Sequence, residues 1–330
     1  MKKRPFLFGT GILVFILGLT YYLGPHPEKP DFDKVYDFEL PSNLTELQSF
    51  VQNKESQIDG LKKDNEAQFV WADSIPEVTD YAIVYIHGFS ASRMEGNPVH
   101  ENLARKYNAN LYKARMAEHG IDRGDETMAN LTADKYIETA EEALAIGRKI
   151  GKKVIIVGTS AGGALTLYLA SKHKDLEAIV LYSPCVKIYD PSAELLDDPW
   201  GLKLGTLVQG KPFNDITPAN ENQPLYWSMH YRLEGLVALQ NFITYAMVSD
   251  TFKKINCPVF MGYYYKDEEH QDKVVSVPAL LTMFDALGSS NKMKVAFPNA
   301  ENHVLASWVL SKDVDTVQEE TEKFLDEIVK

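Results

Sequence analysis

The sequence predicts an α/β protein: a mostly parallel central sheet with helices on both faces and an inserted helical cap. Three observations carry that expectation. Short apolar runs recur along the chain, among them "YAIVYIH", "KVIIVG", "AIVLYS" and "PVFMGYYY", and near-continuous apolar strands are those buried on both faces. Segments of helical period separate most of them, as in "TADKYIETAEEALAIGRKIG", where Ala133, Ile137, Ala140 and Leu144 share one face. Such alternation of strand and helix builds a parallel sheet through crossover connections. Finally, residues 186–255 interrupt the alternation between two strand candidates. They are too many for a loop in a compact sheet, so a cap of short helices is expected there.

Taken in order, the chain opens with Lys2, Lys3 and Arg4 ahead of an uncharged run from Pro5 to Leu23. That run is close to the length needed to span a bilayer, so residues 1–24 are expected to form a transmembrane signal anchor. The basic cluster would keep the N-terminus cytoplasmic and place the rest on the extracytoplasmic side; a cleaved signal peptide is the alternative. Residues 25–41, rich in proline and charge, read as a tether. The main folded domain is expected over residues 42–330. Its first helix starts at Ser42 or Asn43, with Leu44, Leu47, Phe50 and Val51 at helical spacing. Strand candidates follow at residues 69–72, 81–87, 109–114, 153–158, 178–183, 258–265 and 294–298. In the cap interval, Trp200, Phe213, Tyr226, Trp227 and Tyr231 are candidates for a pocket roof or for the cap's own small core.

Charge narrows the partners. A net charge of −12 repels phosphate backbones, and no basic block follows the first residues, so nucleic acid is not an expected partner. Cys185 and Cys257 lack the CxxC spacing of a zinc site and the histidines form no HExxH pattern, so no metal is expected. The two cysteines fall at opposite ends of neighbouring parallel strands, farther apart than a disulfide spans, and should be free thiols.

The chemistry concentrates in "VIIVGTSAGGALTLYLA". Gly158, Ser160 and Gly162 form G-x-S-x-G between a strand and a helix, where glycines permit a sharp turn that exposes a serine at the sheet edge. The following helix N-terminus favours negative charge on a substrate oxygen. A serine hydroxyl needs a base, and the base needs an acid to orient it. His303, in "FPNAENHVLASW", follows the last strand and is the candidate base. The acid is expected in "KDEEHQDKVVSVPALL", where Asp272 is favoured over Asp267 because the apolar "VVSV" can anchor its loop. In "VYIHGFSAS", Gly88 frees the backbone so that the Phe89 N–H can join that of Ala161 in an oxyanion hole. His87 reads as a structural histidine under that loop.

Together, "HGFSAS", "ARMAEHG", "GTSAGG" and "NAENHV" resemble the α/β-hydrolase fold superfamily, in particular its carboxylesterase and monoacylglycerol-lipase-like branch, over residues 66–328. The resemblance implies a Ser-His-Asp triad of Ser160, His303 and one of the two aspartates, with a cap after the sixth strand. The expected activity is hydrolysis of carboxylic esters, lipid-derived ones included, through an acyl-serine intermediate and without a cofactor. Two alternatives stay open. One is a serine peptidase or amidase of the same fold, for which Glu194, Asp197 and Asp198 would have to meet a substrate amine; the other is a membrane-tethered binding protein with a dead triad.

Overall fold

A computed structural model describes residues 4–330, with the side chains of residue 11 and residues 13–330. Seven strands form the main sheet: β1 (Gln68–Val70), β2 (Thr79–Ile86), β3 (Asn110–Lys113), β4 (Gly151–Thr159), β5 (Leu176–Tyr182), β8 (Val259–Tyr263) and β9 (Lys292–Ala296), with a separate ribbon of β6 (Phe213–Asp215) and β7 (His230–Arg232). All seven sheet strands fall on the expected runs. The order is β1-β3-β2-β4-β5-β8-β9, parallel throughout except for the edge strand β1. The chain runs outward from β2 to β3, then returns to the other side of β2 for β4. Ligand sites of open parallel sheets form at such a reversal, beyond the C-terminal strand ends. The loops after β2 and β4 therefore flank the natural crevice.

The helices are α1 (Arg4–Tyr22), α2 (Leu44–Ser56), α3 (Val99–Lys106), α4 (Ala133–Ile150), α5 (Ala161–Lys172), α6 (Gly201–Gln209), α7 (Gln223–Tyr226), α8 (Leu233–Ala246), α9 (Ser249–Lys253), α10 (Val277–Ala286) and α11 (Val314–Asp326). They cover both faces. Ala82, Val84 and Ile86 of β2 pack towards α4, α5 and α8, while Tyr81, Ile83 and Tyr85 pack towards α3 and α11. Alternate residues of one strand thus feed two cores, which is why β2 and β4 read as unbroken apolar runs.

Within residues 186–255, a 3-10 turn (Pro191–Asp197), α6, the β6–β7 ribbon and α7 lie over the sheet edge, and α8 joins them to the body: it packs on the 3-10 turn and α6, while its Ala238, Leu239, Phe242 and Ile243 are buried in the core with α4 and α5. Its apolar residues fill nearly its whole circumference, the mark of a core helix rather than a lid. Both cysteines are free, Cys185 buried and Cys257 half-buried.

The expected membrane anchor is overturned. Among the described residues no helix is long and apolar enough to cross a membrane. Helix α1 runs over 19 residues from Arg4 to Tyr22. The single-pass, extracytoplasmic placement and the membrane as partner fall with that segment; Lys2 and Lys3, which were to orient it, lie outside the described residues. The helix end is engaged with the cap instead, where Trp200 Nε1–H donates to the Thr20 carbonyl at 3.1 Å and the Trp200 N–H to that of Pro25 at 2.8 Å. Residues 25–41 are extended and lie against the body, with Phe32 over Tyr168 and Asp31 N–H bonded to Asp134.

Candidate active site

Ser160 sits between β4 and α5 at φ 53° and ψ −117°, a strained left-handed position that a serine occupies only where surrounding structure imposes it. Its N–H donates to Tyr182 O at 2.9 Å, and its carbonyl accepts the N–H groups of Ala164 at 3.0 Å and Cys185 at 2.8 Å. The glycines are there for space. A Cβ on Gly162 would collide with the Ile86 carbonyl and sit 2.6 Å from that of His87, and one on Gly158 would lie 2.5 Å from the Gly162 carbonyl. Both positions bring backbone against backbone, so the turn tolerates no side chain.

The loop after β2 supplies the other wall of the crevice. Among the described residues the N–H groups of Phe89 and Ala161 find no acceptor in the protein, as donors waiting for an external oxygen would. His87 braces the loop from below: Nδ1–H donates to Gly88 O at 2.8 Å and Nε2 accepts the Met116 N–H at 3.1 Å. Burial pushes its pKa down to about 4, so it is a neutral structural ring.

His303 Nδ1 lies 2.6 Å from Asp272 Oδ2, the aspartate being fully buried in its side chain. Asp272 Oδ1 accepts the N–H groups of Val274 at 2.8 Å and Val275 at 3.1 Å, and Val275 is buried, so the apolar stretch fixes the Asp272 carboxylate. Asp267 goes elsewhere: its exposed carboxylate bonds His270 at 2.8 Å. Burial disfavours the charged His303 ring, but the Asp272 carboxylate outweighs it and holds the pKa above the ordinary histidine value. Nε2, the other ring nitrogen, is buried without a partner. Ser160 and His303 are not hydrogen-bonded to each other.

Both face one cavity of about 530 Å³, lined also by Phe89, Asp272, Cys185, Leu239, Trp227 and Tyr231. Of the five cap aromatics, Trp227 and Tyr231 reach it. Trp200 lines a separate cavity of about 540 Å³ that holds none of the predicted site residues, and Phe213 packs at a tilt against His230. Glu194 pairs with Lys187, Asp197 bonds Asn241, and neither these nor Asp198 lines the catalytic cavity. Glu95, buried beside Ser160 and lining the cavity, had escaped sequence reasoning; an acidic side chain between Met94 and Gly96 gave no pattern by which to find it.

No protein-family model matches the chain. A stretch of 106 residues is 29% identical to a thermostable monoacylglycerol lipase of Bacillus sp. (strain H-257), covering 32% of this chain and 41% of that protein. The match thus spans about two-fifths of the curated relative's length. Among solved structures, one described with two metagenome-derived lipolytic enzymes superposes with a TM-score of 0.65 at 17% identity, covering 81% of this chain and 99% of the other. Est1E of Butyrivibrio proteoclasticus, seen with ferulic acid, gives 0.55 at 19% over 80% and 95%. A monoacylglycerol lipase of Paleococcus ferrophilus gives 0.56 at 11% over 79% and 98%. At such identities the likeness speaks for the fold, and with the sheet order and the turn at Ser160 it makes this chain an α/β-hydrolase-fold protein whose structural neighbours include esterases and monoacylglycerol lipases.

Proposed function

We propose that this protein is a serine hydrolase that cleaves carboxylic esters through an acyl-serine intermediate. Ser160 is the nucleophile, His303 the general base and then general acid, and Asp272 the group that holds the ring. The observation that carries the reading is the 2.6 Å contact of Asp272 with His303 Nδ1, which leaves Nε2 unpartnered in the cavity that Ser160 lines. With Nδ1 tied to the carboxylate as a donor, Nε2 is the basic nitrogen. It takes the Ser160 proton as Oγ attacks the ester carbonyl, and the Phe89 and Ala161 N–H groups receive the oxygen that becomes negative. The imidazolium gives its proton to the departing alcohol, and water then repeats the sequence on the acyl-serine.

The cavity's apolar lining supports acyl chains as ligands, and the monoacylglycerol lipase activity of the curated relative is in keeping with this. Each methylene that still fits contributes about 0.8 kcal/mol of burial, up to about fourfold in kcat/KM. p-Nitrophenyl esters from acetyl to palmitoyl, with Ser160→Ala as control, test the reading. Preference should rise to a medium-chain maximum and then fall. A steady decline from acetyl onward would contradict the apolar acyl pocket, and undiminished turnover by Ser160→Ala would contradict the triad.

A further inference from the structure

Glu95 is a carboxyl inside the catalytic cavity that the proposed triad leaves without a task. It sits on a 3-10 turn (Arg93–Gly96) and is 2% exposed. Oε2 accepts the Gly88 N–H at 2.5 Å. Oε1 and the Ser160 Cβ each lie 2.9 Å from the point where a Cβ on Gly88 would stand, so carboxyl and nucleophile are neighbours across this glycine.

Its surroundings offer no counter-charge of the usual kind. Among the described residues no lysine or arginine bonds it; Arg93, on the same turn, reaches away to Gln68 and Glu66. The titratable groups that face it are Tyr85 from β2, Tyr136 from α4 and His303 from its loop, the last already paired with Asp272. Lys273 and Glu301 line the same cavity without bonding it. A carboxylate buried this way is costly. It would also oppose the negative charge that develops on the ester oxygen at the adjoining Phe89 and Ala161 N–H groups. A neutral carboxyl escapes both penalties, and its carbonyl oxygen still accepts the Gly88 N–H.

We propose that Glu95 is a positioning residue that works as the neutral acid, clamping through the Gly88 N–H the turn that presents the Phe89 N–H to substrate. The assignment rests on the ester-hydrolase reading. Burial pushes the Glu95 carboxyl up to about 7, so the acid is neutral below that pH and ionises above it.

The test compares Glu95→Ala and Glu95→Gln in the full chain, since an amide keeps the acceptor and never ionises. Glu95→Ala should lower kcat by about tenfold to a hundredfold with KM within roughly twofold, the loss expected of a misplaced donor. Glu95→Gln should rescue most of that loss and remove the alkaline fall in kcat that sets in near pH 7 in the wild type. Glu95→Gln as impaired as Glu95→Ala, or a pH profile superimposable on the wild type, would overturn the proposal; if Glu95→Ala does not fold, Glu95→Gln decides alone. Fluorophosphonate labelling at Ser160 is read in parallel. A wild type that does not label there would overturn the hydrolase reading, and this assignment with it.

Discussion

The turn at Ser160 and the cap above it are held by opposite kinds of packing. At the turn, Thr159 and Ala161 are fully buried, backbone fills the space around Gly158 and Gly162, and the Ser160 peptide group is bonded on both sides. In the cap, α6 buries only Gly201 and leaves Leu207 77% and Val208 87% exposed, and the 3-10 turn before it buries nothing. The contrast teaches a division of labour. The proposed nucleophile is carried where any displacement meets close-packed backbone, whereas the cap hangs from elements that can change without disturbing the sheet.

If the rigid part holds the chemistry, disturbing its hydrogen bonds should cost most. Asp272→Asn should lower kcat by about 10⁴, since the amide favours the wrong tautomer of His303, while Asp267→Asn should cost less than about twofold. The reverse ranking would place the acid on the exposed loop. The pH profile sharpens the same point. Because Asp272 holds the His303 pKa above the ordinary value, the base stays protonated to higher pH, and the acid limb of kcat/KM should lie above about pH 6.5. In the residual activity of Asp272→Asn that limb should move to lower pH.

Packing gives the next largest effect. Gly162→Ala forces a methyl against the Ile86 and His87 carbonyls, and should destabilise by about 3 kcal/mol or prevent folding. Leu207→Ser, on the exposed face of α6, should change stability by no more than about 0.5 kcal/mol. Urea unfolding followed by circular dichroism reads both; comparable losses would erase the distinction between turn and cap.

The same contrast governs what could be read in the sequence. Strands buried on both faces write their apolar character into every residue, so all seven runs of the sheet were legible, as was the serine turn, whose glycines are demanded by backbone contact. The three-residue strands of the cap ribbon carry no period, and α8 lay inside an interval that its length alone marked as a cap. Asp272 and Asp267 both follow β8, and the apolar stretch after Asp272 favoured it; in the structure their contacts differ, His303 for one and His270 for the other. Glu95 left no trace because its role depends on a glycine seven residues earlier turning its N–H inward. The N-terminal run was read from its length and hydropathy alone, and neither shows that the helix end meets Trp200 of the cap.

The most direct measurement of the central claim is covalent labelling of the intact protein with a fluorophosphonate, followed by peptide mapping. The account predicts one adduct, on Ser160, formed quickly by the wild type and Asp267→Asn, far more slowly by Asp272→Asn and His303→Ala, and not at all by Ser160→Ala. An adduct on another serine, or a wild type that stays unlabelled at saturating probe, would contradict it.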